Sequence, residues 1–110
     1  MNIEDYYNYC LSLNGTKEEM PFDKKTLVFK VNNKIYALTD IEIFEFINLK
    51  CKPDRAEELR ISYHSVKPGY HMNKKHWNSI YIQGNDINTK LIKRWIHNSY
   101  KLVSKINPLQ

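Results

Sequence analysis

Between Lys67 and Tyr81 the chain gathers Lys67, Lys74, Lys75, His71 and His76 around three rings, Tyr70, Trp77 and Tyr81, with no Asp or Glu among them. Ammonium groups can contact phosphate oxygens, flat rings can stack on a base or sugar, and His and Asn add neutral or switchable hydrogen bonds. Pro68-Gly69 is a turn signal, so the stretch reads as an exposed hairpin. Lys50 and Lys52 lie just upstream of a proline and extend the cationic set. The candidate nucleic-acid contacts are therefore Lys50, Lys52, Lys67, Lys74 and Lys75 on phosphates, His71, Asn73 and His76 as hydrogen-bonding groups, and Trp77. Trp77 is also expected to be partly buried, bracing the turn together with Asn78. Any one of these residues could equally be a solvated turn position or a ring packed on the core; their concentration is what singles the stretch out.

Other chemistries lack their residues. Cys10 and Cys51 form no ligand pair, and His71 and His76 are flanked by Lys74 and Lys75, which would repel a divalent cation, so no metal is expected. There is no glycine-rich phosphate loop and no nucleophile elbow, and no carboxylate stands ready to orient either histidine as a general base. The expectation is a non-enzymatic protein with no cofactor.

The run Pro68-Gly69-Tyr70-His71-Met72-Asn73-Lys74-Lys75-His76-Trp77-Asn78 resembles the signature of the MmcQ/YjbR family of small bacterial proteins. Met20-Pro21-Phe22, Phe29-Lys30-Val31 with Lys34, Asn48-Leu49-Lys50-Cys51 before Pro53, Ala56-Glu57-Glu58-Leu59-Arg60 and Ser99-Tyr100-Lys101-Leu102-Val103 are similar to it as well. The resemblance implies a compact α+β domain related in shape to bacterial secretion chaperones, DNA binding through a double wing, and no assigned catalytic residues. Lys52 departs from the family pattern, which usually has Asp there; an oxygen cap on the following helix is exchanged for a cation beside Lys50.

The 110 residues suit one domain, residues 1–110, with a single core. Charge is unevenly spread: residues 1–45 carry five Lys against eight acids, and residues 46–110 carry twelve Lys and Arg against four. Such polarity can make a face that attracts polyanions. Lysine predominates over arginine, which favours phosphate contact over base reading. DNA is favoured over RNA, with weak sequence preference. The alternative is a protein-interaction or chaperone-like module, or a homodimer, without nucleic-acid binding. No apolar run reaches the ~20 residues of a membrane span and the N-terminus is acidic, so a cytoplasmic protein with reduced cysteines is expected.

The elements that must position these residues are legible from period and punctuation. Ile3, Tyr6, Tyr7, Cys10 and Leu11 predict a helix from about Asn2 to Leu13, stopped near Gly15. Thr16 to Lys25 reads as a loop, with Phe22 plugging the core edge. Leu27–Val31 and Lys34–Leu38 predict a hairpin about Asn32-Asn33, with Val31 facing Lys34, Phe29 facing Tyr36 and Leu27 facing Leu38. A strand lies within Ile43–Cys51, and Lys30 and Lys50 share its solvent face. Pro53 opens a second helix. Trp77–Ile82 is a strand, and Asn88 caps a last helix to about Ile106. That helix sets an apolar stripe against Lys90, Lys93, Arg94, His97, Lys101 and Lys105, a pattern that an ordinary solvated face also produces. The fold class is α+β: two layers, an antiparallel sheet of about five strands in the order α-β-β-β-α-β-β-α, with the helices on one face.

Overall fold

Asn2 begins the fold by accepting a hydrogen bond from the Asp5 amide at 2.8 Å while the Asp5 carboxylate takes the Asn2 amide, a reciprocal cap that starts α1, Ile3–Ser12. Tyr6 and Cys10 are the buried residues of its inner face. The structure, a computed structural model, describes residues 1–105. After α1 come β1 Lys17–Glu19, β2 Thr26–Val31, β3 Lys34–Asp40, β4 Phe46–Lys50, α2 Pro53–Ser62, β5 Val66–Pro68, β6 Trp77–Tyr81 and α3 Thr89–Ser104. The expected end of the last helix at Ile106 lies outside the described residues.

Among the described residues the sheet has six antiparallel strands in the order β1-β2-β3-β4-β6-β5, one more than expected. The addition is β1, inside the stretch read as a loop. Lys17-Glu18-Glu19 has no apolar alternation because the strand is exposed throughout; backbone pairing with β2 makes it, together with the Lys30–Glu19 ion pair at 2.7 Å. Phe22 does not plug the core. Asp23 accepts from the Lys25 and Thr26 amides, and this turn carries the chain into β2 with the Phe22 ring 67 % exposed.

The Asn32-Asn33 turn forms as expected, both residues at positive φ, and Val31 faces Lys34. Beyond Lys30 the register slips: Phe29 faces Ala37 instead of Tyr36, and Leu27 faces Thr39 instead of Leu38. The ladder skips Tyr36, a bulge residue on β3. The slip moves Leu38 opposite Val28, onto the other side of the sheet.

The three helices pack on one face. Tyr6 and Cys10 of α1, Leu59 of α2, and Ile92, Trp95 and Ile96 of α3 meet Phe29, Tyr36, Ile47, Leu49 and Ile80 in the main core. The face carrying Lys30 and Lys50 is not wholly solvated, because a second cluster of Val28, Leu38 and Trp77, flanked by Ile35 and Met72, closes its centre. Among the described residues no helix is long and apolar enough to cross a membrane.

Candidate nucleic-acid interface

The expected hairpin is present: β5 and β6 pair with Lys67 opposite Ser79 and Pro68 opposite Asn78, leaving residues 69–76 as its loop. Gly69 serves close packing here, not positive φ. A Cβ on it would lie 2.7 Å from the Trp77 Cβ, and His71 takes the left-handed conformation instead, at φ 56°.

Arg60 of α2 braces this loop. Its Nε donates to the Asn78 side-chain oxygen at 2.6 Å, and its terminal nitrogen reaches the Trp77 carbonyl at 3.2 Å and the Lys74 carbonyl. Asn78, 1 % exposed, donates in turn to the Ala56 carbonyl. On the opposite face the Ser79 hydroxyl accepts from the Tyr70 amide at 2.9 Å and pairs with the Asn48 side-chain oxygen. Both sides of the hairpin are thus fixed by buried polar groups with partners, which hold the loop in one shape.

Within that loop the candidate residues diverge. Trp77 is buried against Val28 and Leu38, so its ring belongs to the second cluster, and Lys50 Nζ lies 6.0 Å from its centroid. Asn73 spends its side-chain oxygen on the Lys75 amide at 2.9 Å. Lys74 folds its ammonium back onto the Gly69 carbonyl at 3.0 Å, whereas Lys75 is exposed. His71 lies beside Tyr70, ring centroids 4.0 Å apart, on the wall of a different groove. Lys67 stands on the edge strand β5.

The cations that do converge come from three elements. Lys50 at the end of β4 and Lys52 just before α2 join Arg55 of α2 and Lys101 and Lys105 at the end of α3 around a groove of about 430 Å³. Adjoining it, Lys34 from the start of β3 and His76 from the loop line a second hollow with Lys50, Lys52 and Lys105. Among the described residues no carboxylate lines either hollow; Glu58 only pairs with Arg55 at 2.9 Å. Lys52 is the N-cap of α2 and provides no side-chain bond, so the amide end of the helix also starts here.

Ser99 is what places Lys50. Its hydroxyl donates to the carbonyl of the bulged Tyr36 at 2.6 Å and accepts from the Lys50 amide at 2.9 Å. The serine within the apolar stripe of α3 therefore satisfies two backbone groups where the β3–β4 ladder has ended at Ala37 and Leu49, and it ties the end of β4 to α3. Neither Arg60 nor Ser99 was singled out by residue type in sequence. The only signal for Ser99 is a small polar residue at a core position of the helical period.

The groove offers anion contact and little else. Burial raises the Cys51 thiol above its ordinary value, against the opposing pull of Arg55 and Arg60, so it stands as a neutral wall group. Cys10, deeper in the core, is pushed up to about 12 by burial. Both cysteines are free; Cys10 is buried and Cys51 half-buried. Among the described residues no group of three His, Cys, Asp or Glu side chains is placed to hold a metal ion.

On the other side of α3, the outward basic stripe is broken at Lys93, whose Nζ sits 5.4 Å from the Tyr9 ring centroid. Lys90 and Arg94 remain exposed on that side.

A family model described as YjbR matches residues 11–102. Among curated relatives, the uncharacterized protein YbdF of Escherichia coli O157:H7 is 43 % identical over 84 residues, covering 76 % of this chain and 68 % of that protein. The uncharacterized protein YjbR of Escherichia coli strain K12 is 32 % identical over 85 residues, covering 76 % and 72 %. Among solved structures, the Deinococcus radiodurans protein DR2400, described with a DUF419 domain, superposes with a TM-score of 0.90 at 38 % identity, covering 98 % of this chain and 83 % of that one. A Pseudomonas syringae protein superposes at 0.79 with 30 % identity, covering 94 % and 99 %.

Proposed function

The chain belongs to the YjbR family, and from that premise and the geometry of its basic groove we propose that it binds nucleic acid through the phosphate backbone, with little dependence on sequence. The observation that carries this reading is the convergence of Lys34, Lys50, Lys52, Arg55, Lys101 and Lys105 on adjoining hollows lined, among the described residues, by no carboxylate. Lysines far apart in sequence form one cationic surface, which suits a polyanion whose charges are regularly spaced. His76 borders that surface and Lys75 stands exposed on the same loop.

In this reading the loop 69–76 is a rigid flank of the groove and not the main contact. Lys50 and Lys52 are primary phosphate contacts and Lys75 a secondary one. Lys74 contributes less because its ammonium is engaged by Gly69, and Trp77 acts by holding the loop and Lys50 in place. His71, Asn73 and Lys67 lie away from the groove or have their side chains engaged. Arg55, half-neutralised by Glu58, is the one guanidinium available to the groove wall, so base reading is weak.

The test is fluorescence anisotropy of a labelled duplex across a salt series. Each groove lysine replaced should flatten the slope of log affinity against log salt by about 0.9 on duplex DNA, so Lys50→Ala with Lys52→Ala should flatten it by about 1.8. Lys74→Ala with Lys75→Ala should change it less, and Lys90→Ala, outside the groove, least. Duplexes of unrelated sequence should respond alike. Absence of binding by the unaltered protein at low salt overturns the proposal; equal effects of Lys90→Ala and the groove variants overturn the choice of site.

A further inference from the structure

The sheet face that carries no helix holds a second concavity, of about 710 Å³, opposite in character to the basic groove. Its wall is built of rings already packed on one another: Phe46 meets Tyr70 edge-on with centroids 5.7 Å apart and Tyr81 at 5.1 Å. Tyr70 is half exposed, and the Phe22 ring, 67 % exposed, stands at the same concavity. Asp23, Asp40 and Glu45 lie along its margin. Lys25 is the one ammonium there, and it is paired with Asp40 at 3.7 Å. Besides the hydroxyls of Tyr70 and Tyr81, the other titratable neighbour among the described residues is His71.

We propose that this ring-walled, acid-edged groove is a docking site for a basic peptide segment of a partner protein, with an arginine or lysine side chain seated among Phe22, Phe46, Tyr70 and Tyr81 and held electrostatically by Glu45 and Asp23. Charge complementarity selects this occupant. Aromatic faces carry negative potential and attract guanidinium and ammonium groups. Carboxylates at the margin reinforce that attraction and repel phosphate, so the site cannot extend the nucleic-acid surface. Both Asp23 and Asp40 orient their oxygens through local backbone amides, those of Lys25 and Thr26 and of Glu42 respectively, which fixes where the negative charge stands. The Asp23 carboxyl is held below its ordinary range by those amides and stays ionised at neutral pH.

The rings are preorganised from below. The Tyr70 amide is bound by Ser79, and its carbonyl accepts from the Asn48 side-chain nitrogen at 3.4 Å, so a peptide meets a wall that need not be ordered on binding. The site stands apart from the basic groove: no residue lines both. A partner could therefore be engaged while nucleic acid is bound.

A labelled peptide of four Arg-Gly repeats, titrated by anisotropy, tests this against the same peptide with Glu in place of Arg. The arginine peptide should bind saturably. Tyr70→Ala should weaken it about fivefold, Tyr70→Phe should restore it, and Glu45→Gln should weaken it about threefold, in keeping with cation–ring and exposed ion-pair energies. Lys50→Ala with Lys52→Ala should leave the arginine peptide unaffected while weakening the glutamate peptide and duplex DNA. Glu45 is exposed and Tyr70→Phe keeps the ring contact with Phe46, so Glu45→Gln and Tyr70→Phe should keep the thermal midpoint of the parent, while Tyr70→Ala gives up one half-exposed ring contact, keeps its backbone bonds to the sheet and should stay folded.

The proposal is overturned if the arginine peptide does not bind, or if Tyr70→Ala and Glu45→Gln leave its affinity unchanged. It is also overturned if Tyr70→Ala instead removes self-association, which assigns the groove to a second copy, or removes single-stranded oligonucleotide binding, which assigns it to a base. Each of these results leaves the basic-groove reading intact, because that reading fails only if the unaltered protein does not bind duplex at low salt or if the groove and Lys90 variants act alike in the salt series.

Discussion

Arg60→Ala should be among the most damaging single changes at a residue that is not apolar. Among the described residues the guanidinium supplies the only hydrogen bond received by the Asn78 side-chain oxygen, at 2.6 Å, and Asn78 is 1 % exposed. A bond from a charged donor is worth roughly 1.5–3 kcal/mol, and a buried acceptor left without a partner keeps its full desolvation penalty. The two carbonyls that Arg60 also holds cost less on its removal. That of Trp77 keeps the Gly69 amide at 2.8 Å, and that of Lys74 belongs to an exposed residue and can turn to water. The expected loss is therefore about 2–3 kcal/mol, which lowers the thermal midpoint of a domain this size by roughly 10 °C. Arg60→Lys keeps the charge but not the fork and should recover only part of the loss. Urea denaturation gives the free energy, and amide hydrogen exchange at Gly69 and Tyr70 reports whether the loop loosens before the rest of the chain. Arg55→Ala is the control, since its pair with Glu58 is exposed at i, i+3 and is worth about 0.5 kcal/mol or less. If Arg60→Ala costs no more than Arg55→Ala, or if loop exchange is unchanged, the bracing argument is wrong.

Trp77→Ala should cost about 3 kcal/mol, as expected for a ring buried against Val28 and Leu38; a loss under about 1 kcal/mol in thermal or urea melts would mean the ring is not part of that cluster. Lys52→Asp should raise stability by up to about 1 kcal/mol, because the extended backbone at φ −64° and ψ 143° suits an oxygen cap for α2 that Lys52 does not provide. The same change should weaken duplex binding in the salt series, and a variant both more stable and equally tight would remove Lys52 from the proposed contact.

Much of the fold was legible because its signals are local. The Asn32-Asn33 turn, Pro53 at the start of α2 and Asn88 as the cap of α3 each act within a few residues, and each stands as read. Strand alternation in β4 and β6 also survived, with Ile47, Leu49 and Ile80 in the core. The failures occurred where a distant partner decides. β1 exists only because β2 pairs with it, and the hairpin register depends on a bulge at Tyr36 whose carbonyl is taken by Ser99, 63 positions away.

The candidate site divides in the same way. Residue types alone established that this chain has lysine-rich chemistry suited to phosphate, that it lacks paired metal ligands, and that residues 67–81 form a hairpin. Which cations meet was decided by packing. Lys34, Lys50, Lys52, Arg55, Lys101 and Lys105 come together because β4 ends against α3 through Ser99 and α2 starts beside that junction, whereas the neighbouring Lys74 and His71 turn to a backbone carbonyl and to a different groove. Sequence determines which charges and rings a segment carries and how its backbone turns. Only the tertiary structure sets the direction in which each side chain leaves the backbone and what it meets there, since that depends on strand register and on helices more than forty residues away.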